Sequence, residues 1–146
     1  MTYHINIWLY VNMKNTLRLL KVLSDPARLR ILMILTRKEL CVCQIMGVLG
    51  ISQPLVSRNL TLLSGAGFLE ERKEGKLVFY SLRKRLPAGY GSMVDLLKDL
   101  LKSDKILLGD LKSLRDCEEF QKRTGKCDMR TLSDFMERKK RRSQKP

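Results

Sequence analysis

The sequence predicts a mainly α-helical domain with one small β-hairpin, and three observations carry that expectation. Leucines recur at helical spacing from about Asn15 onward. The stretch "FLEERKEGKLVFYSL", residues 68–82, alternates apolar and polar residues on both sides of Glu74-Gly75, the mark of a hairpin. Turn and break residues fall between the periodic segments, at Pro26, Gly50, Gly65, Gly67, Pro87 and Gly89. With 146 residues, 44% of them apolar, the chain is long enough for one domain with its own core.

The elements follow in order. Residues 1–12, "MTYHINIWLYVN", are apolar but lack a charged leader and a small-residue cleavage site, so no secretion signal is read there. They form a strand or an arm, or an extension upstream of a working start at Met13. Leu17, Leu20 and Leu23 then share one helical face. Ser24-Asp25 caps a second helix, with Pro26 at its first position, where a missing N–H costs nothing. Leu29, Leu32, Met33 and Leu35 line its buried side. A short helix follows from the cysteine segment "ELCVC" to about Leu49, stopped by Gly50. Ser52 is an N-cap for the next helix, which tolerates Pro54 in its first turn. There Val56, Leu60 and Leu63 face the core, leaving Gln53, Ser57, Arg58 and Thr61 on or near the outer side. The hairpin runs from Phe68 to Arg72 and from Leu77 to Leu82, with Arg72, Lys73 and Lys76 at its tip.

Beyond Pro87 and Gly89, from about Ser92, Met93, Leu97, Leu100, Leu107, Leu111 and Leu114 form the stripe of one long amphipathic helix. Such a stripe needs a partner. It packs back on its own chain, or it meets the same helix of a second subunit in a twofold interface, which would use Met93, Leu97, Leu100, Leu107 and Leu111. The expected division is an N-terminal extension (1–12), a DNA-binding and dimerisation domain (13–116), a cysteine-containing segment (117–137) and a basic tail (138–146). The tail, with Arg138, Lys139, Lys140, Arg141, Arg142 and Lys145, is expected to be a solvated, disordered end that could add non-specific phosphate affinity.

Charge narrows the partners. Lys and Arg number 29 against 15 acidic residues, a formal net charge of +14, which favours a polyanion. The excess survives removal of the tail, so the folded part is basic too. No stretch is long and apolar enough to span a bilayer. A short helix, a turn with glycine, a second helix and a basic hairpin make a winged helix-turn-helix pattern. Its second helix would enter the major groove of double-stranded DNA. Ser52, Gln53, Ser57, Arg58 and Thr61 would present polar groups there, and Arg58 could reach guanine or phosphate. Arg72, Lys73 and Lys76 would bracket the backbone, which positions the protein without reading sequence. Each of these residues alone would pass for a solvated surface group; together they favour nucleic acid.

Four cysteines without a secretion signal suit a reduced cytoplasm, where such pairs are metal-binding or redox-active more often than disulfide-bonded. On spacing alone, Cys41 and Cys43 read equally as small buried residues or as ligands. In a regular helix, residues two apart point roughly 200° from each other. One ion can reach both only if one leaves helical geometry. A helix start allows that, with Cys41 in the cap and Cys43 in the first turn, and its N–H groups favour thiolate. A thiol enzyme is not expected, because there is no Cys-x-x-Cys pair and the one histidine, His4, lies in the N-terminal extension.

"DPARLRILMIL" (25–35), "ELCVC" (39–43) and "SQPLVSRNLTLLSGAGFLEERKEGKLVFYSL" (52–82) resemble the ArsR/SmtB family of metal-sensing repressors. The resemblance spans roughly 13–114. It implies a homodimer of winged helices that leaves operator DNA when a metal or metalloid binds. One departure is Asn59, where the family often has His, which implies a changed DNA or backbone contact. In the arsenic-responsive branch the "ELCVC" pair belongs to the inducer site, and a third cysteine commonly follows three residues on. Here that position is Met46, a weak ligand. Cys117 or Cys127 would then be the third ligand, from the same subunit or across the dimer. Trivalent arsenic or antimony suits three thiolates, and cadmium or lead three or four. Zinc held as in the zinc-sensing relatives is not expected, because the long helix lacks their Asp/His pairs. A four-cysteine structural zinc site matches the spacing poorly. The resulting expectation is a cytoplasmic repressor released by arsenite or antimonite. The alternatives are a cadmium- or lead-responsive repressor or a thiol–disulfide redox sensor of the same fold. No membrane and no small organic substrate are expected among its partners.

Overall fold

A computed structural model describes residues 2–125 and 129–145. Along the chain lie α1 (Thr2–Leu23), α2 (Pro26–Leu35), β1 (Leu40–Cys41), α3 (Val42–Leu49), α4 (Gln53–Gly65), β2 (Leu69–Glu74), β3 (Leu77–Leu82), α5 (Tyr90–Leu101), α6 (Lys105–Thr124) and α7 (Met129–Ser143). This is the mainly helical architecture with a small hairpin that the periodicity predicts.

Helix α2 is the centre of the core. Ile31, Leu32, Met33, Ile34 and Leu35 are all buried, whereas Leu29 is only half-buried. The expected single apolar face is too narrow, because α1, α3, α4 and α6 surround this helix and five consecutive apolar residues serve all sides. Its start follows the sequence. The Asp25 carboxylate accepts from the Arg28 N–H at 3.0 Å, and Pro26 occupies the first turn. The Arg28 Nε donates to the Val22 carbonyl at 2.6 Å and Nη1 to Asn59 Oδ1 at 3.3 Å, tying the end of α1 to α4.

Helix α1 is longer than expected, since no proline or glycine interrupts the chain before Pro26 and the turn-to-turn hydrogen bonds can continue back to Thr2. Helix α4 buries Val56, Leu60 and Leu63, as expected. Each contributes about 1.5–3 kcal/mol on leaving water. Asn59 lies on the same face and is only 2% exposed, so it is not a DNA contact. It is a backbone contact, with Nδ2 donating to the Leu55 carbonyl at 2.9 Å.

The sheet is antiparallel with order β1-β3-β2. The hairpin register runs from Leu69 opposite Leu82 to Glu74 opposite Leu77, and Gly75 at φ +58° makes the turn. Strand β1 adds Leu40 opposite Tyr80 and Cys41 opposite Phe79. Two residues are too few to carry an alternating pattern, so this strand has no sequence signal of its own.

The expected long C-terminal helix is two helices. Asp104 accepts the Leu107 N–H at 2.9 Å and starts α6 afresh, an N-cap signal legible in "KSDKIL". Leu107 and Leu114 belong to the core of their own chain, so Leu107 has little surface left for a partner, while Leu100 is 68% exposed. Helix α6 runs through the expected boundary at 116/117, and α7 runs through 137/138. Far from being a loose tail, residues 138–143 are helical. Leu132, Phe135, Met136 and Lys139 share one face of α7, and Leu132 and Phe135 are buried against α3 and α6. The missing side chain of Gly47 makes room for Leu132, and the Phe120 and Phe135 rings stand 5.7 Å apart.

One ion pair locks the C-terminal helices to the rest. Arg30 donates to both carboxylate oxygens of Asp110, at 2.8 and 2.7 Å, and to the Leu49 carbonyl at 3.1 Å. The hydrogen bond to Asp110 holds the Arg30 pKa above its usual value. Asp110→Ala strands that guanidinium and is expected to cost about 1–3 kcal/mol in urea unfolding. Asp99→Ala removes only the exposed pair with Lys102 and is expected to cost less than about 1 kcal/mol. Equal effects would refute the locking role of Asp110.

Candidate functional site

Two regions collect the residues singled out in the sequence. On α4, Gln53, Ser57, Arg58 and Thr61 are exposed, and Ser52 precedes them as N-cap. The Ser52 side chain makes no capping bond, so the first N–H groups of α4 have no side-chain acceptor there. A phosphate oxygen is the kind of group that fills such a helix start. Thr61 Oγ1 donates to the Ser57 carbonyl at 3.0 Å. Lys73 and Lys76 are exposed at or near the hairpin turn.

Arg72 differs from the expectation for the wing. Its guanidinium donates to Glu39 at 2.6 and 3.0 Å and to Glu74 at 2.9 Å, and it lies 4.8 Å above the Phe79 ring. The Arg72 hydrogen bond in turn holds the Glu39 carboxyl below its ordinary range. Arg72 therefore acts first as a brace between the hairpin and the residues before β1. Cross-strand pairing causes this, because it sets Arg72 beside Phe79 and near Glu39.

The thiol region lies at the start of α3. Cys41 ends β1 and is the N-cap of α3, in extended geometry at φ −86° and ψ 168°, and Cys43 is the second residue of the helix. This is the division between cap and first turn expected from the sequence. The Cys41 N–H donates to Gln44 Oε1 at 2.8 Å, half of a capping box in which the Cys41 sulfur faces the Gln44 N–H. Cys41 is buried and Cys43 half-buried. None of Cys41, Cys43 and Cys117 is in a disulfide.

Helix α6 brings Cys117 to this place. It is 5% exposed and close enough to Cys41 for the two to interact electrostatically. The neighbouring turns of α6 hold the same end of α3: Gln44 Nε2 donates to Gln121 Oε1 at 2.8 Å, and Lys38 Nζ stands 3.3 Å from Glu118. Gln44 and Gln121 carry no motif that marks them in the sequence, apart from the capping-box position of Gln44. Met46 lies half-buried against the core. Cys127 lies outside the described residues.

Burial, and secondarily the nearby Cys41, push the Cys117 thiol up to about 11. Among the described residues, no three Cys, His, Asp or Glu side chains converge into a ready ligand shell. The donor chemistry suits a soft, thiophilic ion, and joining Cys41, Cys43 and Cys117 to one ion requires their sulfurs to move from where they stand.

Residues 25–71 match the family described as bacterial regulatory protein, arsR family. The arsenical resistance operon repressor of Escherichia coli is 42% identical over 80 residues, covering 54% of this chain and 68% of that protein. The arsenic resistance transcriptional regulator ArsR1 of Pseudomonas putida is 35% identical over 96 residues, covering 62% and 75%. Among solved structures, the transcriptional repressor BigR of Xylella fastidiosa superposes with a TM-score of 0.57 at 28% identity, over 68% of this chain and 96% of that one.

The raised Cys117 pKa has a measurable consequence. An unfolded cysteine ionises near 8.5, so between about 9 and 11 the unfolded chain loses a proton that folded Cys117 keeps. That contribution to stability is present below the unfolded value and is lost as pH rises through the folded one. Iodoacetamide labelling read by mass spectrometry is expected to modify Cys43 faster than Cys117 at neutral pH, with Cys117 gaining rate only in strong base. Equal rates at neutral pH would contradict the burial of Cys117.

Proposed function

Because the chain belongs to the arsR family of bacterial regulatory proteins, and is therefore a DNA-binding transcriptional regulator and not an enzyme, we propose that it is a cytoplasmic homodimeric repressor that leaves its operator when arsenite or antimonite binds cysteine thiolates. The observation that carries this reading is Cys117, a residue of α6, buried beside Cys41 at the cap of α3. It supplies, within one chain, the third thiol that Met46 does not. Cys41, Cys43 and Cys117 form the proposed ligand set, with Cys127 as a further candidate. The two relatives named above are named for arsenical and arsenic resistance, which supports the same inducer class.

The proposed mechanism follows from the geometry. An ion shared by the three thiols pulls the first turn of α3 toward α6. Helix α3 leads through Gly50 and Ser52 directly into α4, so a tilt of α3 re-aims α4. Ser52, Gln53, Ser57, Arg58 and Thr61 meet the operator from α4, and Lys73 and Lys76 meet its backbone from the wing, with Arg72 bracing the wing. The exposed Leu17 and Leu20 of α1 and Leu96 and Leu100 of α5 support a twofold interface, joined by the half-buried Met93 and Leu97. To shift the dimer from mostly bound to mostly free, the inducer must prefer the released state by about 5 kcal/mol.

Fluorescence anisotropy with a labelled operator duplex tests this. Arsenite or antimonite is expected to release the wild-type protein. Cys41→Ser, Cys43→Ser and Cys117→Ser are each expected to bind DNA within a few-fold of wild type and to resist release. Arg58→Ala is expected to lose about 1–3 kcal/mol of operator affinity. An operator complex left intact by saturating arsenite and antimonite would sink the sensor reading, and release by cadmium alone would change the inducer.

A further inference from the structure

The cations of residues 138–145 are not spread through solvent but delivered to one place. Helix α7 crosses the C-terminal half of α3, pinned by buried Leu132 and Phe135. Lys139 Nζ donates to the Val48 carbonyl at 2.8 Å, in the last turn of α3, where a cation also complements the helix dipole. Beyond that bond, Lys139, Lys140, Ser143 and Gln144 border a shallow cleft with Gly47 and Gly50. Gly50 stands three residues before Gln53, the first residue of α4, a span of at most about 11 Å. The basic end of α7 therefore sits beside the turn of the helix-turn-helix.

The charges there are not consumed within the chain. Among the described residues Lys140 is in no ion pair, and Arg141 is 83% exposed with only Glu137 at 4.0 Å. Arg142 reaches Asp116 at 3.9 Å from the other side of the helix and is 79% exposed. In a helix-turn-helix the first helix crosses the DNA backbone while the second enters the groove. A cation fixed beside the turn is thus brought to the phosphates flanking the groove.

We propose that the C-terminal end of α7 is a third DNA-contacting element, with Lys140 on the phosphate backbone next to the site where α4 enters. This rests on the reading of α4 as the groove helix. It differs from a floating basic tail because position matters: Arg130, exposed in the first turn of the same helix, carries the same charge far from the turn.

The test is the salt dependence of binding by the full-length protein, on an operator duplex and on an unrelated duplex of equal length. Lys140→Ala is expected to weaken both several-fold and to flatten the slope of log affinity against log salt. The flattening is about 0.9 for each phosphate no longer neutralised, so about two for a dimer. Lys140→Arg is expected to restore the slope, and Arg130→Ala to leave it unchanged. An unaltered slope in Lys140→Ala, or equal flattening in Arg130→Ala, would overturn the proposal. Arg58→Ala in the same assay separates it from the reading beneath it. Undiminished operator preference in that variant counts against α4, whereas the α7 contact is read from the slope on both duplexes.

Discussion

Helix α3 is held at its C-terminal end by two cations from other helices, and much of the structure depends on that grip. Arg30 of α2 takes the Leu49 carbonyl and Lys139 of α7 takes the Val48 carbonyl, at 3.1 and 2.8 Å. These are the carbonyls that a helix end leaves without partners of its own. Arg30 is itself fixed by both oxygens of Asp110. Residues far apart in sequence thus set the position of an eight-residue helix that would be unstable alone. Such a short helix moves as a rigid body: whatever displaces its start tilts the whole helix, and its end leads into α4.

The start of α3 is held by more links of a weaker kind. The Cys41 N–H donates to Gln44 and the Gln44 amide to Gln121, β1 pairs with β3 just before the helix, and the exposed Lys38–Glu118 pair lies beside it. Neutral hydrogen bonds contribute about 0.5–1.5 kcal/mol each and exposed ion pairs about 0–1 kcal/mol. On the proposed reading, the ion acts at this end, where Cys41 and Cys43 stand, and the charge-assisted grip of Arg30 and Lys139 at the other end serves as the pivot.

Much of this was legible in the sequence where a residue's chemistry is local. The Asp25-Pro26 cap, the Gly50 stop, the buried Val56, Leu60 and Leu63 and the hairpin about Gly75 all follow from spacing and turn preference. So did the placing of Cys41 in a cap and Cys43 in a first turn. What was missed depends on neighbours distant in sequence. Strand β1 exists because β3 lends it a partner. Asn59 is buried because Arg28 satisfies its oxygen. Arg72 is occupied because Glu39 stands near it in space. Two misses had signals that were there to read: Ser103-Asp104 before a new apolar period, and the Leu132, Phe135, Met136, Lys139 spacing that makes a basic run into a docked helix. Charge hid that second pattern, since a run of cations reads first as solvated chain.

The buried thiol sets the terms of the proposed switch. Cys117 holds its proton up to about 11 because burial disfavours the thiolate, with Cys41 adding to the effect. An ion that binds thiolate must displace that proton, so part of its binding free energy goes into ionising a group the fold keeps neutral. This is useful in a sensor. On the proposed reading, this cost weighs most on weakly thiophilic ions and least on those that bond strongly to sulfur. Among the described residues the ligand shell is not converged, and on the proposed reading this matters for coupling: a site formed equally well in the bound and released states would shift no equilibrium. Selectivity and coupling would then share one physical source, a site whose thiols must move and ionise before the ion is held.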